Sequence, residues 1–310
     1  MSEALVFSRP ENALSLFAAL VSGRIAPNAT WHSPAYRIKF LLRSLVFPLS
    51  TGLHMKQLAA IPAMREALSF QPTLPGKIHR PYLHLGLSAT QRARILSQHY
   101  HFLQQLPGDA LRMALLSPQS TELVSFLGKD EQPFRVTIAC NGRCEREGEA
   151  VMLLSSGDVT LAMLTFVIAE QQGQPVMVVG GMQGAHRLTP HEAIRIATKA
   201  CYGLFPKRLL LEVASLLAQA LNISTIQGVS DCGHTYRSLR YRFKKKEAFL
   251  ASYDELWQSL NATRLSRQRW QLDAVLAQKP LEEVPSKKRA EYRRRYQLLD
   301  DLHQQFSRFR

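Results

Sequence analysis

Five short apolar segments in the middle of the chain constrain the fold more than any other feature of the sequence. They are 121–127, 134–140, 150–155, 159–168 and 175–180, and Gly, Asn or Asp residues separate several of them. Short segments rich in β-branched residues predict strands, and such turn residues between them predict antiparallel hairpins. Two of the strands are apolar on both faces, so we expect helices to cover the sheet.

Two helices and another strand are predicted after this sheet. Thr189 is the expected N-cap of a helix that runs to Tyr202, with a proline at its first position. A second helix is predicted from Pro206 to Leu221, because its leucines recur every three or four residues. Segment 223–230 is typical of a buried strand. This order of sheet, two helices and strand indicates an α/β unit in which a crossover connection leads to the last strand.

The two ends of the chain have helical periodicity. We predict a helical N-terminal region over 1–106, an α/β (α+β) core domain over 107–275 and a long basic amphipathic helix over 276–310. The sheet of the core domain is expected to be mixed and mostly antiparallel. The predicted N-terminal helices are 11–22, 35–47 and 88–106. The second of these combines apolar and basic residues, which suits either packing on the core or lying on a membrane surface.

The charge is strongly basic and unevenly distributed. Lys and Arg outnumber Asp and Glu by 39 to 24, and the net charge is +8 over 1–106, −2 over 107–233 and +9 over 234–310. A field of this sign favours anionic partners such as anionic lipid, nucleic acid or phosphorylated small molecules, although a merely solvated surface is also compatible.

Other sequence signals bear on location and on metal binding. No segment has the roughly 18 uncharged apolar residues that a membrane-spanning helix needs, and no signal peptide is evident. We therefore expect a cytoplasmic protein that is at most peripheral on the inner membrane. The four cysteines form no paired zinc pattern, and no metal site is expected.

Four motifs resemble the VirK/YbjX family of Gram-negative bacteria. The longest is 199–246, KACYGLFPKRLLLEVASLLAQALNISTIQGVSDCGHTYRSLRYRFKKK. The others are HRPYL at 79–83, GGMQG at 180–184 and PSKKRAEYRRRYQLLDDL at 285–302. The family is a domain of unknown function linked to virulence, surface-protein display and resistance to cationic antimicrobial peptides. The resemblance therefore implies a role in the cell envelope, and it carries no catalytic residues across.

The order of strand, GGMQG turn, helix and strand is also similar to the acyl-CoA-dependent N-acyltransferase superfamily. In that fold a splayed strand leads into a turn whose N–H groups, with the next helix, hold a pyrophosphate. The similarity implies an acyl-CoA or acyl-carrier donor bound by Gly180, Gly181, Gln183, Gly184 and Arg187. The gap AHRLT is longer than in that superfamily, and a glycine-lined strand end before an ordinary helix is the alternative.

Polar residues after the last predicted strand are candidates for catalysis. His234 could act as a general base near neutral pH, with Asp231 orienting it or Tyr236 as the acid. Ligands commonly bind beyond the carboxyl ends of strands in α/β sheets. We therefore predict that these three residues line a pocket with Gly181 and Gln183 on its opposite wall. A structural histidine bonded to backbone is the alternative.

A basic cluster with interleaved aromatic residues follows immediately. Its members are Arg237, Arg240, Arg242, Lys244, Lys245 and Lys246. Such a cluster suits phosphates or lipid head groups, and RNA ranks third because no nucleic-acid module surrounds it. Two function classes result: an acyltransferase-like enzyme acting on the envelope, or a non-enzymatic protein that binds anionic lipid or a membrane protein. A solvated face is the alternative.

Overall fold

The computed structural model describes residues 12–239, 241 and 252–309, and these form two compact units. The first unit contains 12–80 and 88–104, and the second contains 81–87 and 105–309. The segment 81–87 thus belongs to the second unit although helical residues of the first lie on both sides of it in sequence.

The first unit is helical. Three of its helices begin with proline, which fits the first turn because its φ is fixed and its missing N–H is not needed there. The predicted helices are confirmed to within a few residues. In the part of the chain that the structure describes, the helices are α1 (Ala13–Ser22), α2 (Ala29–His32), α3 (Pro34–Val46), α4 (Pro48–Ala60), α5 (Pro62–Glu66) and α6 (Ala89–Gln105).

The second unit is built on one sheet of eight strands. The strand order is β1-β2-β3-β4-β5-β6-β8-β7, and every neighbouring pair is antiparallel except β5 with β6. The strands are β1 (Thr121–Leu127), β2 (Pro133–Ala139), β3 (Ala150–Ser156), β4 (Val159–Gln171), β5 (Gln174–Gly184), β6 (Thr225–Val229), β7 (Thr263–Arg264) and β8 (Arg269–Asp273). This confirms the predicted mixed, mostly antiparallel sheet. The short strands β7 and β8 were not predicted.

Five helices accompany this sheet in the described residues. Helix α9 packs against β3, β4 and β5 through buried leucines and Val213, as its spacing predicts. The helices are α7 (Asp109–Leu116), α8 (His191–Ala200), α9 (Pro206–Ala220), α10 (Tyr253–Ser259) and α11 (Ser286–Phe306). The predicted amphipathic tail helix is therefore confirmed, and its buried residues are Leu298, Leu302 and Phe306.

The predicted ends of α8 are wrong. Its N-cap is Pro190 rather than Thr189, so no side chain caps this end. Thr189 instead donates its backbone N–H to the His186 carbonyl in a turn. At the other end Tyr202 has a φ of 52°, which breaks the helix before the predicted final residue.

The C-terminal part of α11 protects the edge of the sheet. The Gln305 amide accepts a hydrogen bond from the Ser125 N–H at 3.1 Å and donates one to the Ser125 carbonyl at 2.9 Å. Arg308 donates to the Leu123 carbonyl at 2.7 Å. These contacts cover β1, whose free edge would otherwise invite pairing with another chain. None of the helices described is both long and apolar enough to cross a membrane.

Candidate functional site

The glycine-rich run 180–184 lies inside β5, so the predicted turn is wrong. The register between β4 and β5 shifts at Gly180, which leaves this residue as the extra one of a β-bulge. A Cβ on Gly180 would overlap the main-chain oxygen of Glu147, and a Cβ on Gly181 would overlap its carboxylate. The two glycines therefore make room for Glu147 against the strand.

Strand β5 extends past its parallel neighbour β6. The two strands pair from Val176 to Val179, and β5 then continues for five residues without β6. Tyr253 from α10 reaches this end of β5, where its hydroxyl accepts a hydrogen bond from the Met182 N–H at 3.1 Å. The end of β5 that extends past β6, where β5 still pairs with β4, is thus where side chains from α10 and from the loop before β3 approach the sheet.

Six side chains gather at this point, and we call them the Glu147 cluster. They are Cys144, Glu147, Gln183, His234, Tyr236 and Tyr253. His234 Nε2 lies 3.2 Å from Glu147 Oε1. The Gln183 amide donates to both carboxylate oxygens of Glu147, at 3.3 and 3.2 Å. The prediction brought together His234, Tyr236 and Gln183, and the structure places all three in this cluster.

The surroundings of His234 fix its orientation. Its Nδ1 accepts a hydrogen bond from the Tyr236 N–H at 3.3 Å, so Nε2 is the ring nitrogen that faces Glu147. Tyr253 stacks on the ring at 5.3 Å between centroids, and Tyr236 meets it edge-on at 4.9 Å. These contacts hold the His234 ring in place with its Nε2 directed at the Glu147 carboxylate.

Asp231 is not the carboxylate beside His234. Its Oδ1 accepts the backbone N–H of Tyr253, the first residue of α10, at 2.7 Å. Its own N–H donates to Asp254 at 3.3 Å. An aspartate that accepts a helical N–H stabilises the start of that helix. The position predicted for Asp231 is occupied by Glu147.

The other groups of the cluster stay protonated at neutral pH. Burial, and next the Glu147 carboxylate, raise the pKa of Cys144 to about 11. The same two causes raise the pKa values of Tyr236 and Tyr253 above that of an ordinary tyrosine. Glu147, His234 and Tyr253 are buried, whereas Cys144, Gln183 and Tyr236 are partly exposed. The cluster thus has a buried floor and a rim that solutes can reach.

A cavity of about 1120 Å³ begins at the end of β5, and we call it the cationic cavity. Gly184 and Arg187 line it, together with residues of α8, α9 and α11. Its Lys and Arg residues are Lys129, Arg187, Arg195, Lys199, Lys207 and Arg294. Glu291 is its one acidic lining residue among the described parts of the chain. Burial lowers the pKa of Lys207.

The residues predicted to bind a cofactor are therefore divided between two places. Gly180, Gly181 and Gln183 contact Glu147, whereas Gly184 and Arg187 line the cationic cavity. Arg237 is exposed at the end of a short 3₁₀ turn. The remaining basic candidates, Arg240, Arg242, Lys244, Lys245 and Lys246, lie outside the described residues.

Comparison with known proteins establishes the family. The family model described as "Protein of unknown function (DUF535)" matches residues 29–308. The chain belongs to this family. It is 39% identical over 297 residues to the uncharacterized protein YbjX of Escherichia coli (strain K12), which covers 96% of this chain and 90% of that protein. The VirK/YbjX membership implied by the motifs is therefore confirmed.

More distant similarities are weaker. An uncharacterized protein of Haemophilus influenzae is 25% identical to this VirK/YbjX chain over 218 residues, which is 69% of this chain and 70% of that protein. Among solved structures, a mutant cAMP-binding acyltransferase from Mycobacterium smegmatis gives a TM-score of 0.29 at 12% identity. That alignment covers 67% of this chain and 63% of the acyltransferase, and a score this low carries no argument about fold or function.

Sequence reasoning missed Glu147 and Tyr253 in this VirK/YbjX protein. One available signal was REGEA at 146–150, where carboxylates alternate with other residues directly before a strand that is almost wholly buried. The second of them, Glu149, accepts a hydrogen bond from the Tyr82 hydroxyl at 2.9 Å. The tyrosine of the HRPYL motif is thus a partner of a buried carboxylate. No local signal pointed to Tyr253.

Proposed function

We propose that the protein is an acyltransferase that uses a phosphate-bearing thioester, acyl-coenzyme A or an acyl-carrier phosphopantetheine, as its donor. One observation carries this proposal. Two consecutive residues at the end of β5 contribute to two different sites. Gln183 donates hydrogen bonds to the Glu147 carboxylate, and Gly184 lines the cationic cavity. A single strand end thus joins a proton acceptor to a site for an anion.

The cationic cavity supports binding of the phosphate groups. Arg195 pairs with Glu192, and the other five Lys or Arg side chains against one carboxylate favour a multiply charged anion. Neither α8 nor α9 has a side-chain cap at its N-terminus, so their N–H groups and dipoles add to the positive potential. A Cβ on Gly184 would meet only the Lys207 stem at 3.5 Å, which leaves space beside the strand. The volume suits a ligand the size of a nucleotide.

The Glu147 cluster supports the proton transfers. In the proposed reaction an acceptor amine attacks the thioester carbon, its proton passes to Glu147, and the carbon–nitrogen bond forms as the carbon–sulfur bond breaks. The leaving thiolate takes a proton from water at the partly exposed rim of the cluster. Glu147 then releases its proton to solvent, so the products are an amide and a free thiol. His234 and Gln183 are positioning residues that hold the carboxylate.

The family suggests where the acceptor is found. We place the acceptor among components of the Gram-negative envelope, because the VirK/YbjX resemblance links this family to virulence, surface-protein display and resistance to cationic antimicrobial peptides. Acylation of such a component would connect the chemistry to those properties.

A thermal-shift experiment tests donor binding. Coenzyme A should raise the melting temperature, whereas pantetheine, which lacks phosphate, should not. Arg294→Gln should reduce the shift several-fold because Arg294 lines the cavity. Arg293→Gln is the matched control, since it removes an exposed charge one residue away on the same helix and outside the lining. No shift with millimolar coenzyme A would refute the donor class.

A complementation experiment tests the role of Glu147. Glu147→Gln keeps the size of the side chain and one of its two acceptor oxygens but removes its proton-accepting charge. It should abolish rescue of antimicrobial-peptide sensitivity in a deletion strain without lowering protein abundance. Glu149→Gln, two residues away and equally buried, should rescue normally. Equal rescue by both variants would remove Glu147 from the chemistry.

A further inference from the structure

Large apolar side chains are exposed where α3 meets α4, and we call this set of side chains the apolar corner. They are Ile38, Leu42, Leu45, Val46, Leu49 and Leu53. Leu49 is 88% exposed, and Leu45 and Val46 are each 68% exposed. Contiguous apolar surface of this kind is uncommon on a soluble monomer and marks a site of interaction.

The sequence LVFPL at 45–49 produces this corner. Of the residues in α3 only Phe40 and Ser44 are buried, so the other apolar residues of this helix are left partly or fully outside the core. Pro48 then begins α4 directly after Phe47, because a residue before proline disfavours continuing the helix. The chain therefore turns where its side chains are most apolar.

Charge complementarity identifies what covers the apolar corner. Lys39 on α3 and Lys56 on α4 are exposed on the same two helices. The one acidic residue in the sequence of 12–80 and 88–104 is Glu66. Apolar side chains accompanied by cations, with almost no acidic groups, fit a surface that is apolar inside and anionic outside.

An apolar cavity of about 310 Å³ lies beside the corner. Leu14 and Phe17 of α1, Leu41 and Leu45 of α3, and Met55 of α4 line it. A recess lined by such side chains gives an acyl chain a place to enter, which a flat apolar patch would not offer.

We propose that the apolar corner docks the first unit on an anionic lipid bilayer. Leu45 and Leu49 enter the acyl-chain region, and Lys39 and Lys56 lie at the level of the phosphates. This inference is independent of the proposed function, because it uses none of the residues of the Glu147 cluster or the cationic cavity.

Vesicle sedimentation of the full chain tests the docking. The protein should bind vesicles containing phosphatidylglycerol more tightly than pure phosphatidylcholine. The double variant Leu45→Ser/Leu49→Ser should bind at least about tenfold more weakly at both low and high salt. Leu188→Ser is the matched control, because Leu188 is 83% exposed in the second unit. Its binding should equal that of the unchanged protein.

Charge variants give the salt dependence. Lys39→Gln/Lys56→Gln should weaken binding by about tenfold at low salt and much less at high salt, since screening already removes the electrostatic part. If the double leucine variant folds poorly, Leu49→Ser alone, at the most exposed position, should also weaken vesicle binding at both salt concentrations. Circular dichroism of each variant establishes its folding.

Three results would overturn the docking surface. The first is unchanged binding of the leucine variants. The second is loss of binding in Lys244→Gln/Lys245→Gln/Lys246→Gln alone, which would assign the contact to the basic cluster that the sequence predicted. The third is a change of oligomeric state in the leucine variants without a change in vesicle binding, which would make the corner a protein interface. Glu147→Gln should bind vesicles normally, so failure here is distinguishable from failure of the proposed function.

Discussion

The two units differ in the titratable side chains that they bury, because only the second unit buries carboxylates among its described residues. The first unit buries the bases His54, Lys77, His79 and His99. Burial, with nearby positive charges, lowers the pKa of His79 to about 4 and that of His99 to about 3. Both rings are therefore neutral at pH 7, and His79 Nε2 lies 2.9 Å from the Thr51 hydroxyl.

The second unit also buries basic side chains, His84, Arg146 and His234, but it adds two carboxylates among donors. Glu147 is held by His234 and Gln183, and Glu149 accepts from Tyr82. A neutral histidine in a core needs only a hydrogen-bond partner, whereas a buried carboxylate costs much more to desolvate and must be surrounded by donors. The comparison teaches that histidine burial does not locate the site in this protein. The buried carboxylate with a partly exposed rim is the feature on which our proposed site rests.

The largest expected effect is steric, and it removes the space that Gly180 leaves for the main chain of Glu147. Gly180→Ala should destabilise the protein by about 3 kcal/mol, because the added methyl group overlaps the rigid main chain of Glu147. Gly52→Ala in α4 is the control from the first unit. Nothing lies within 4 Å of its Cβ, so it should stabilise by roughly 0.5–1 kcal/mol. Urea unfolding measures both, and equal effects would contradict the packing described.

The next effect is the response of the first unit to acid. Because the folded chain keeps His79 and His99 at a lowered pKa, it binds fewer protons than the unfolded chain between about pH 6.5 and their folded pKa values of about 4 and 3. Stability is therefore present above pH 6.5 and is lost as the pH falls. The loss should be about 2 kcal/mol for each of the two rings between pH 7 and pH 5.

Unfolding at several pH values, followed by circular dichroism, measures this loss. His99→Gln should flatten the pH dependence by removing one of the two titrating rings. A dependence that is unchanged in this variant would mean that other groups cause it.

A smaller effect on stability is expected from Asp231, which contacts the start of α10 and not His234. Asp231→Ala should cost about 1 kcal/mol, because it removes the acceptor for the first N–H of α10. It should leave the coenzyme A thermal shift intact, since Asp231 lies outside the lining of the cationic cavity. If the variant lost that shift in full while its melting temperature stayed normal, Asp231 would belong to the donor site and would not be needed to start α10.

The smallest effect concerns a thiol at the rim of the cluster. Glu147→Gln should lower the pKa of Cys144, because the carboxylate is the second cause of its raised value. Its alkylation by iodoacetamide at pH 8 should accelerate about threefold as more thiolate forms. Peptide mass spectrometry follows the modification. Cys201 is the internal control, since burial alone raises its pKa to about 12, and its rate should not change.

Local patterns were sufficient for most of the fold. The strands from β1 to β6, the helix from Pro206 and the tail helix were predicted because turn residues, proline and apolar periodicity act within a few residues of the chain. Strands β7 and β8 were missed because they are short and largely polar, and they pair only with neighbours that the tertiary structure supplies.

The candidate site could be predicted only in part. His234, Tyr236 and Gln183 were identified because they follow or end apolar strands, and that position is visible in the sequence. Their meeting with Glu147 was not visible, because Glu147 lies in the loop before β3 and reaches them only in the folded sheet. We predicted a turn at the glycines 180–181. The sequence does not show that atoms of Glu147 fill the space where their side chains would otherwise lie.

The sequence by itself determined most of the helices and strands, the basic charge and the family of this protein. Tertiary structure alone decided that Gly180 would form a bulge, that Glu147 would fill the space beside it and that Asp231 would cap a helix. The physical reason is that periodicity reports which face of an element is buried, whereas the partner of a buried charge comes from a distant segment. A carboxylate can be buried only where donors from several elements converge, and that convergence exists only after the sheet has assembled.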